Sequence, residues 1–344
     1  MRKIVIHKPG SYNRLVITQA PEPTPGPHEV CLNVDAMGVN YADCVVRMGL
    51  YASAKKYVGW PITPGFEVAG TVRSTGAEVR GVTTGDRVLA ITRFGGYATA
   101  LCVPAHQVFP IPPSWTPEQA AAFPSVHMTA FHALHQLTQV KAGQVVLVHS
   151  AAGGVGSALL RLCALANCTS IAVVGGAHKV AHARACGANH VIDTSSENLW
   201  ERVRTLAPHG VDVVLDANGV RTLRDSYAAL ASCGKLIVYG FHSMLPRRGG
   251  RPNPLRLAWD WLRTPRFNPL TLTGDNKSVL AFNLSYLFER TDLLQEGMTT
   301  LLAHAVAGRL PPPEVQIFPF DDVAKAHALL ESGTTVGKLV LKAC

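Results

Sequence analysis

Residues 145–166 constrain this chain more than any other stretch. Val145-Val146-Leu147-Val148-His149-Ser150 run directly into Ala151-Ala152-Gly153-Gly154-Val155-Gly156, and the apolar segment SALLRLCALA follows. A buried strand, a tight glycine turn and a helix start in immediate succession form the setting in which a glycine pattern holds a dinucleotide. Gly153 has no Cβ, so its backbone can approach a pyrophosphate, and Gly156 lets helix and strand pack closely. The positive end of the helix dipole favours the anion. Ala151 stands where the strict fingerprint has its first glycine. The plainer alternative is a glycine turn with a structural role only. The expected cofactor contacts are Ala152, Gly153, Gly154, Val155 and Gly156.

The second strand of such a unit decides which dinucleotide binds, because an acidic residue at its end would hold the ribose 2′-hydroxyl of NAD. From Ser157 through Ile192 there is no Asp or Glu, and Ile171-Ala172-Val173-Val174 leads into Gly175-Gly176-Ala177-His178-Lys179. With no carboxylate to repel a phosphate, Lys179 beside Gly176 favours NADPH, whose 2′-phosphate adds about two negative charges. The competing reading leaves Lys179 as a solvated surface residue. Asp216, which ends VDVVLDANG, is read as bonding neighbouring backbone rather than as a catalytic acid. Asn218 beside it joins the cofactor set, as do Tyr239, Gly240 and Phe241 at the end of the strand KLIVYG, since ligands sit at the carboxyl ends of such strands.

At 344 residues the chain has room for about two domains. Only 16% of it is charged and 47% is hydrophobic; an average chain is about 25% charged, so disorder and coiled coil both fit poorly. Residues 1–122 read as short β-branched runs (KIVIHK, EVCLNVDAMGV, FEVAGTVRST, DRVLAI, YATALCV) between Pro and Gly clusters, an antiparallel, barrel-like domain. From about Pro124 helices and strands alternate, which implies parallel βαβ units. The tail reverts to a strand (VQIFPF), a helix begun by an acidic cap (DDVAKAHALLES) and a last strand (GKLVLKAC), so the first domain is expected to receive the chain back. Eight dispersed cysteines (Cys31, Cys44, Cys102, Cys163, Cys168, Cys186, Cys233, Cys344) with no Cys-x-x-Cys suggest reduced thiols. The start, MRKIVIHKPG, lacks the apolar run of a signal peptide, and no continuous apolar run of membrane-spanning length follows, so a soluble, cytoplasmic protein is expected.

GVNYADCVVRMGLY (38–51), PITPGFEVAGTV (61–72), GDRVLA (85–90), the AAGGVG turn and VGKLVL (336–341) together resemble the medium-chain dehydrogenase/reductase superfamily, specifically its zinc-free quinone oxidoreductase branch. The stretch 268–290 looks most like the vesicle amine transport protein group within it. The resemblance covers nearly the whole chain. It implies an α/β fold in which a Rossmann-type doubly wound parallel sheet (123–284) is joined to a GroES-like β-barrel catalytic domain (1–122 and 285–344), and a homodimer. It also implies hydride transfer from NADPH to a quinone or α,β-unsaturated carbonyl, with Asn40 and Tyr41 lining the nicotinamide and substrate cleft and Tyr51 in the loop over it. Tyr41 then bonds a substrate oxygen, relays a proton, or only packs. Thr129, at the start of the first nucleotide-domain helix, and Gly337 with Lys338, on the returning segment, complete the expected cofactor site. Zinc members carry a ligand cysteine where this chain has Asn40 and a Gly-His-Glu where it has Gly65-Phe66-Glu67, and the structural zinc lobe is missing, so no metal is expected. His132 and His135 share a helical face without a carboxylate or cysteine and read as an ordinary helical face rather than a metal site.

Residues 246–266, PRRGGRPNPLRLAWDWLRTPR, hold six arginines, Trp259 and Trp261, with Asp260 the single acid. This insert is read as a lid or subunit contact; the alternative is peripheral contact with an anionic membrane, for which the net charge of +9 is favourable. No nucleic-acid module accompanies the charge. Two classes of function follow: an NADPH-dependent quinone or enone reductase, or a weakly active NADPH-binding protein that works at membranes or with partners. A narrower third is an enoyl reductase for carrier- or CoA-linked substrates.

Overall fold

The computed structural model describes residues 1–343, and Cys344, with the end of the last predicted strand, lies outside them. The chain forms two compact units. One comprises Met1–Met128, Arg247–Arg251 and the chain from Leu284 onward; the other comprises Thr129–Pro246 and Pro252–Asn283.

The first unit is built on a mostly antiparallel sheet. Its order is Val315–Pro319, Lys338–Lys342, Glu29–Val39, Glu67–Thr75, Arg87–Ile91, Val108–Pro110, with Ala100–Pro104 also pairing with Glu29–Val39. The returning tail is stitched in by register, since Leu339 pairs with Val39 and Leu341 with Met37. Its first strand, Arg2–Val5, makes a separate ribbon with Val16–Gln19. Alternate residues of these β-branched runs fill the core: Leu32, Val34, Val68, Val72, Leu339 and Leu341 are all buried.

Two short helices, Tyr41–Arg47 and Ala52–Tyr57, interrupt this β-rich half. Asp43 accepts the Asn40 N–H at 2.8 Å, half of a capping box, and so starts the first of them. The tail helix Val323–Ser332 departs from expectation, because the Asp322 side chain makes no cap bond and instead pairs with Lys325 at 2.9 Å. A 3-10 turn over Phe320–Asp322 leads into that helix and takes the acid out of capping position.

The second unit is a six-stranded parallel sheet in the order His190–Asp193, Thr169–Val174, Val145–Val148, Val211–Asp216, Leu230–Val238, Ser278–Ala281. In chain order this is 3-2-1-4-5-6, with the reversal between the first and fourth strands. Leu147, Ile171, Val214 and Leu236 are fully buried beneath covering helices, as an unalternating apolar strand requires. The first helix of the nucleotide region begins at Pro124 rather than near Thr129 and widens into a π turn over His132–Leu137. Asn253 caps the insert's helix Pro254–Arg263 through the N–H groups of Leu255 and Arg256.

Candidate functional site

In the nucleotide unit the loops leaving the first and fourth strands face each other at the reversal point. Ser150 adopts a left-handed φ of 53° and donates its hydroxyl to Asn218 Oδ1 at 2.9 Å. Gly153 occupies the cap position of the twelve-residue helix Gly154–Leu165 and supplies no side-chain acceptor, so the N–H groups of Gly154, Val155 and Gly156 keep the orientation that suits an incoming anion. A Cβ on Gly156 would fall 2.4 Å from Ser150 O and 2.6 Å from Ala151 Cα, which explains the glycine. Ala152 is buried under the turn.

Asp216 shapes the facing loop. It accepts the N–H groups of Asn218 at 2.8 Å and Gly219 at 3.0 Å and the hydroxyls of Thr222 at 2.7 Å and Ser226 at 2.9 Å. With every oxygen so occupied and no exposed surface, this carboxylate organises Asn218 and is not poised for proton transfer. His149 lies 3.0 Å from Ser226 and 3.8 Å from Asp216, and burial holds its ring below the ordinary range and hence neutral.

Gly176 is buried and Gly175 has open space where a Cβ would stand, at the end of a strand whose next carboxylate is Asp193. Asp193 is turned to its own loop, accepting Ser195 N at 2.9 Å and Ser195 Oγ at 2.7 Å. Lys179 ends the short turn Ala177–Lys179 and is half-buried. Tyr239 stacks on Phe282 at 6.2 Å and burial pushes its hydroxyl well up. Gly240 packs against Ala217, and Phe241 is exposed. His132 Nδ1 donates to Gln136 Oε1 at 2.7 Å and meets Phe282 edge to face, so it is a packed residue of the π turn. Thr129 lies within the helix Pro124–Phe131.

In the barrel unit, Asn40, Glu67 and Lys338 form one buried polar knot. Lys338 Nζ lies 2.5 Å from Asn40 Oδ1 and 2.7 Å from Glu67 Oε1, the Asn40 amide donates to Glu67 Oε1 at 2.8 Å, and Ser125 N–H donates to Glu67 Oε2 at 2.7 Å. A Cβ on Gly38 would collide with Glu67 Oε1 at 2.3 Å, so that glycine makes room for the carboxylate. Gly337, with φ 68°, turns the chain so that Lys338 enters the strand. Glu67 is the participant that sequence reasoning left out; its signal was a lone acid inside the apolar run PGFEVAGTV. Asn40 therefore has both ends of its side chain committed, and it positions the helix that begins with Tyr41.

Tyr41 is the first residue of that helix and is half-buried. Burial, and behind it the charges of Cys44 and Glu331, push its hydroxyl well above the usual range, with Arg247 and Arg47 pulling the other way. It stays protonated at neutral pH, a donor rather than a base. Tyr51 lies in the short loop between Tyr41–Arg47 and Ala52–Tyr57. It caps Ala52–Tyr57, its hydroxyl meets Ser285 Oγ at 2.9 Å, and its ring packs edge-on against Phe66 at 5.7 Å and Phe94 at 6.3 Å. Phe66 thus sits in an aromatic cluster. Nearby, Cys44, His327 and Glu331 gather their ligand-type atoms within 4.8 Å, but Glu331 is bound to Arg47 at 2.5 Å and to Tyr12 at 2.7 Å, and burial raises the Cys44 thiol.

A parallel 3-2-1-4-5-6 sheet with a glycine turn at its reversal point, carried on one chain with an antiparallel barrel unit, defines a dinucleotide-dependent dehydrogenase or reductase. Family models agree with both halves: one described as an alcohol dehydrogenase GroES-like domain matches residues 26–113, and one described as a zinc-binding dehydrogenase matches 186–341. The synaptic vesicle membrane protein VAT-1 homologue of Rattus norvegicus is 33% identical over 343 residues, 99% of this chain and 84% of the relative. A 2-haloacrylate reductase of Burkholderia sp is 31% identical over 342 residues, 98% of this chain and 97% of the relative. The Escherichia coli quinone oxidoreductase, solved in complex with NADPH, superposes with a TM-score of 0.86 at 26% identity, covering 100% of both chains. The chain belongs to the medium-chain dehydrogenase/reductase superfamily of oxidoreductases and, within it, to the group of the VAT-1 homologues.

Proposed function

We propose that this protein is a zinc-independent, NADPH-dependent oxidoreductase whose acceptor is a quinone or an α,β-unsaturated carbonyl. The observation that carries the zinc-independent part is the ammonium of Lys338 within 2.7 Å of both Asn40 and Glu67. A cation already bonded to the two polar side chains at that position opposes a second, divalent one. Phe66, in the other position where zinc members have a ligand, offers only an aromatic ring.

The groups that would hold NADPH are the N–H donors of Gly154, Val155 and Gly156, with Ala152 and Gly153 forming the turn before them and the Gly153 N–H closing that turn on the Ser150 carbonyl, the loop of Asn218 and its neighbours, and Gly176 with Lys179 for the 2′-phosphate. Thr129, Tyr239, Gly240, Phe241, Gly337 and Lys338 complete the proposed set. When bound, NADPH supplies a hydride to an electrophilic carbon. The chain's own part is then to bind the acceptor and cover its developing negative oxygen. Tyr41, kept protonated by burial, is the proposed donor, with Asn40 positioning its helix and Tyr51 walling the aromatic cluster. The names of the quinone oxidoreductase and the 2-haloacrylate reductase support acceptors with an activated double bond. The resemblance supports a cytoplasmic homodimer.

The test follows NADPH absorbance with purified protein, a panel of ortho- and para-quinones and simple enones, and NADH as control. Turnover that prefers NADPH and survives chelators is expected; turnover abolished by chelators and restored by zinc would overturn the reading.

One observation favours a second reading, a weakly active protein that acts at membranes. On Pro254–Arg263, Leu255, Trp259, Trp261 and Leu262 are 82%, 60%, 64% and 62% exposed, flanked by Arg256 and Arg263. No helix among the described residues is long and apolar enough to cross a membrane. Flotation with vesicles containing anionic lipid, using protein with and without Arg256, Arg263 and Arg266 changed to Gln, distinguishes the two. Salt-sensitive binding lost in the variant favours the second.

A further inference from the structure

Residues 247–251, Arg-Arg-Gly-Gly-Arg, fold with the barrel unit, and their seat there is built from several contacts. Gly249 and Gly250 both lie in the left-handed region, at φ 77° and 64°. A Cβ on Gly250 would stand 3.1 Å from the Tyr12 ring and 3.2 Å from Arg47 Nη1, so the segment needs glycine for its backbone conformation and for its close approach. The Ser11 hydroxyl donates to the Gly249 carbonyl at 2.9 Å, and Arg47 Nη2 donates to the Gly250 carbonyl at 3.3 Å. Arg47 is itself held fast: it is fully buried, 2.5 Å from Glu331 and over the Tyr12 ring at 4.5 Å.

The backbone at 249–250 is thereby pinned to the far end of the helix Tyr41–Arg47. Six residue steps along that helix cover about 9 Å, and three residues of chain span at most about 10 Å. Arg247 can therefore reach the end where Tyr41 begins the helix, and its charge does bear on the Tyr41 hydroxyl. Arg247 and Arg248 are exposed, and neither has an ion pair or side-chain hydrogen bond to any described residue. A guanidinium without a counter-ion, presented from an anchored backbone beside the proposed hydrogen-bond donor, suits a planar anion.

We infer that Arg247 is a specificity residue that binds the carboxylate of an anionic acceptor, an α,β-unsaturated acid whose double bond is presented to Tyr41. This rests on the reading of Tyr41 as facing the acceptor. It narrows the acceptor class: an acid is preferred over its uncharged ester.

The test uses the full chain with NADPH and a matched pair, 2-chloroacrylate and its methyl ester. The acid-to-ester ratio of kcat/KM is expected to fall about tenfold or more in Arg247→Gln, the size of one lost charge-assisted hydrogen bond, and mainly through the KM of the acid. Arg247→Lys keeps the charge and recovers part of the ratio. An unchanged ratio in Arg247→Gln, or a rise confined to the KM of NADPH, would overturn the inference, the latter by assigning Arg247 to the cofactor. If the unaltered protein reduces neither acceptor, the reductase reading fails separately. Calorimetry with 2-chloropropionate and the NADP⁺-loaded protein then decides: binding abolished by Arg247→Gln supports the carboxylate site, and absent binding overturns it.

Discussion

Lys338 sets its ammonium 2.7 Å from the Glu67 carboxylate, with the two side chains 5% and 0% exposed. Removing one partner strands the other charge out of water, which costs about 3–5 kcal/mol. Lys338→Met is therefore expected to lower the urea midpoint sharply, since only the Ser125 N–H and the Asn40 amide would remain for Glu67. Glu67→Gln combined with Lys338→Met should recover more than half of that loss. A double variant no more stable than the single one would mean the knot is held by packing rather than by charge.

Lys179 stands at the end of a strand that carries no acid. Lys179→Ala is expected to weaken NADPH about tenfold or more while changing NADH little, because only the former has a 2′-phosphate to pair. Fluorescence titration of both cofactors measures this. Equal weakening of the two would assign Lys179 to the fold.

Gly156 touches backbone on two sides, with Ser150 O and Ala151 Cα under 3 Å from an added Cβ. Gly156→Ala must push the helix start away from the turn, so loss of cofactor binding is expected before loss of the fold. Circular dichroism beside a cofactor titration separates them. Retained binding would show the turn to be plastic.

Asp43 and His327 meet through one hydroxyl: Tyr97 donates to Asp43 at 3.1 Å and lies 3.2 Å from His327 Nε2. Since that hydroxyl has a single proton, Nε2–H must donate to it, leaving Nδ1 to accept from Cys44 at 3.4 Å. Burial pushes the Asp43 carboxyl from 3.8 up to about 7, against the bonds from Asn40 and Gly65 N–H. Burial, and then the charge of Arg47, take His327 from 6.5 down to about 3.

The two shifts act on stability in opposite directions. Below about 4 the Asp43 contribution is complete, and it is lost as pH rises through 7. The His327 contribution is complete above 6.5 and is lost as pH falls towards 3. Between about 4 and 6.5 they largely cancel. His327→Gln should leave stability falling with rising pH across that window, and Asp43→Asn should leave it rising; denaturant midpoints at several pH values read both slopes. Parallel profiles for parent and variants would mean the pair does not titrate there.

Much of the nucleotide unit was legible from sequence because its signals are local. The run Val145–Val148, the glycine turn and the missing acid each depend on neighbours within a few residues. The aromatic surroundings of Tyr51 were not legible, since Phe66 and Phe94 come from other segments. Nor was the failed cap at Asp322, where a 3-10 turn overrides a side chain of the right type.

The sequence by itself determined the alternation of strands and helices, the glycine turn after the first parallel strand and the departure from the zinc pattern at Asn40 and Phe66. These follow from side-chain periodicity, from the absence of a Cβ and from residue type, all of which act over a short range. Only the tertiary structure decided that Lys338 meets Asn40 and Glu67, that Arg47 grips Glu331 and the Gly250 carbonyl, and that Asp216 serves a loop. Those contacts join residues far apart in the chain, and burial then sets their protonation, so their chemistry exists only once the chain has folded.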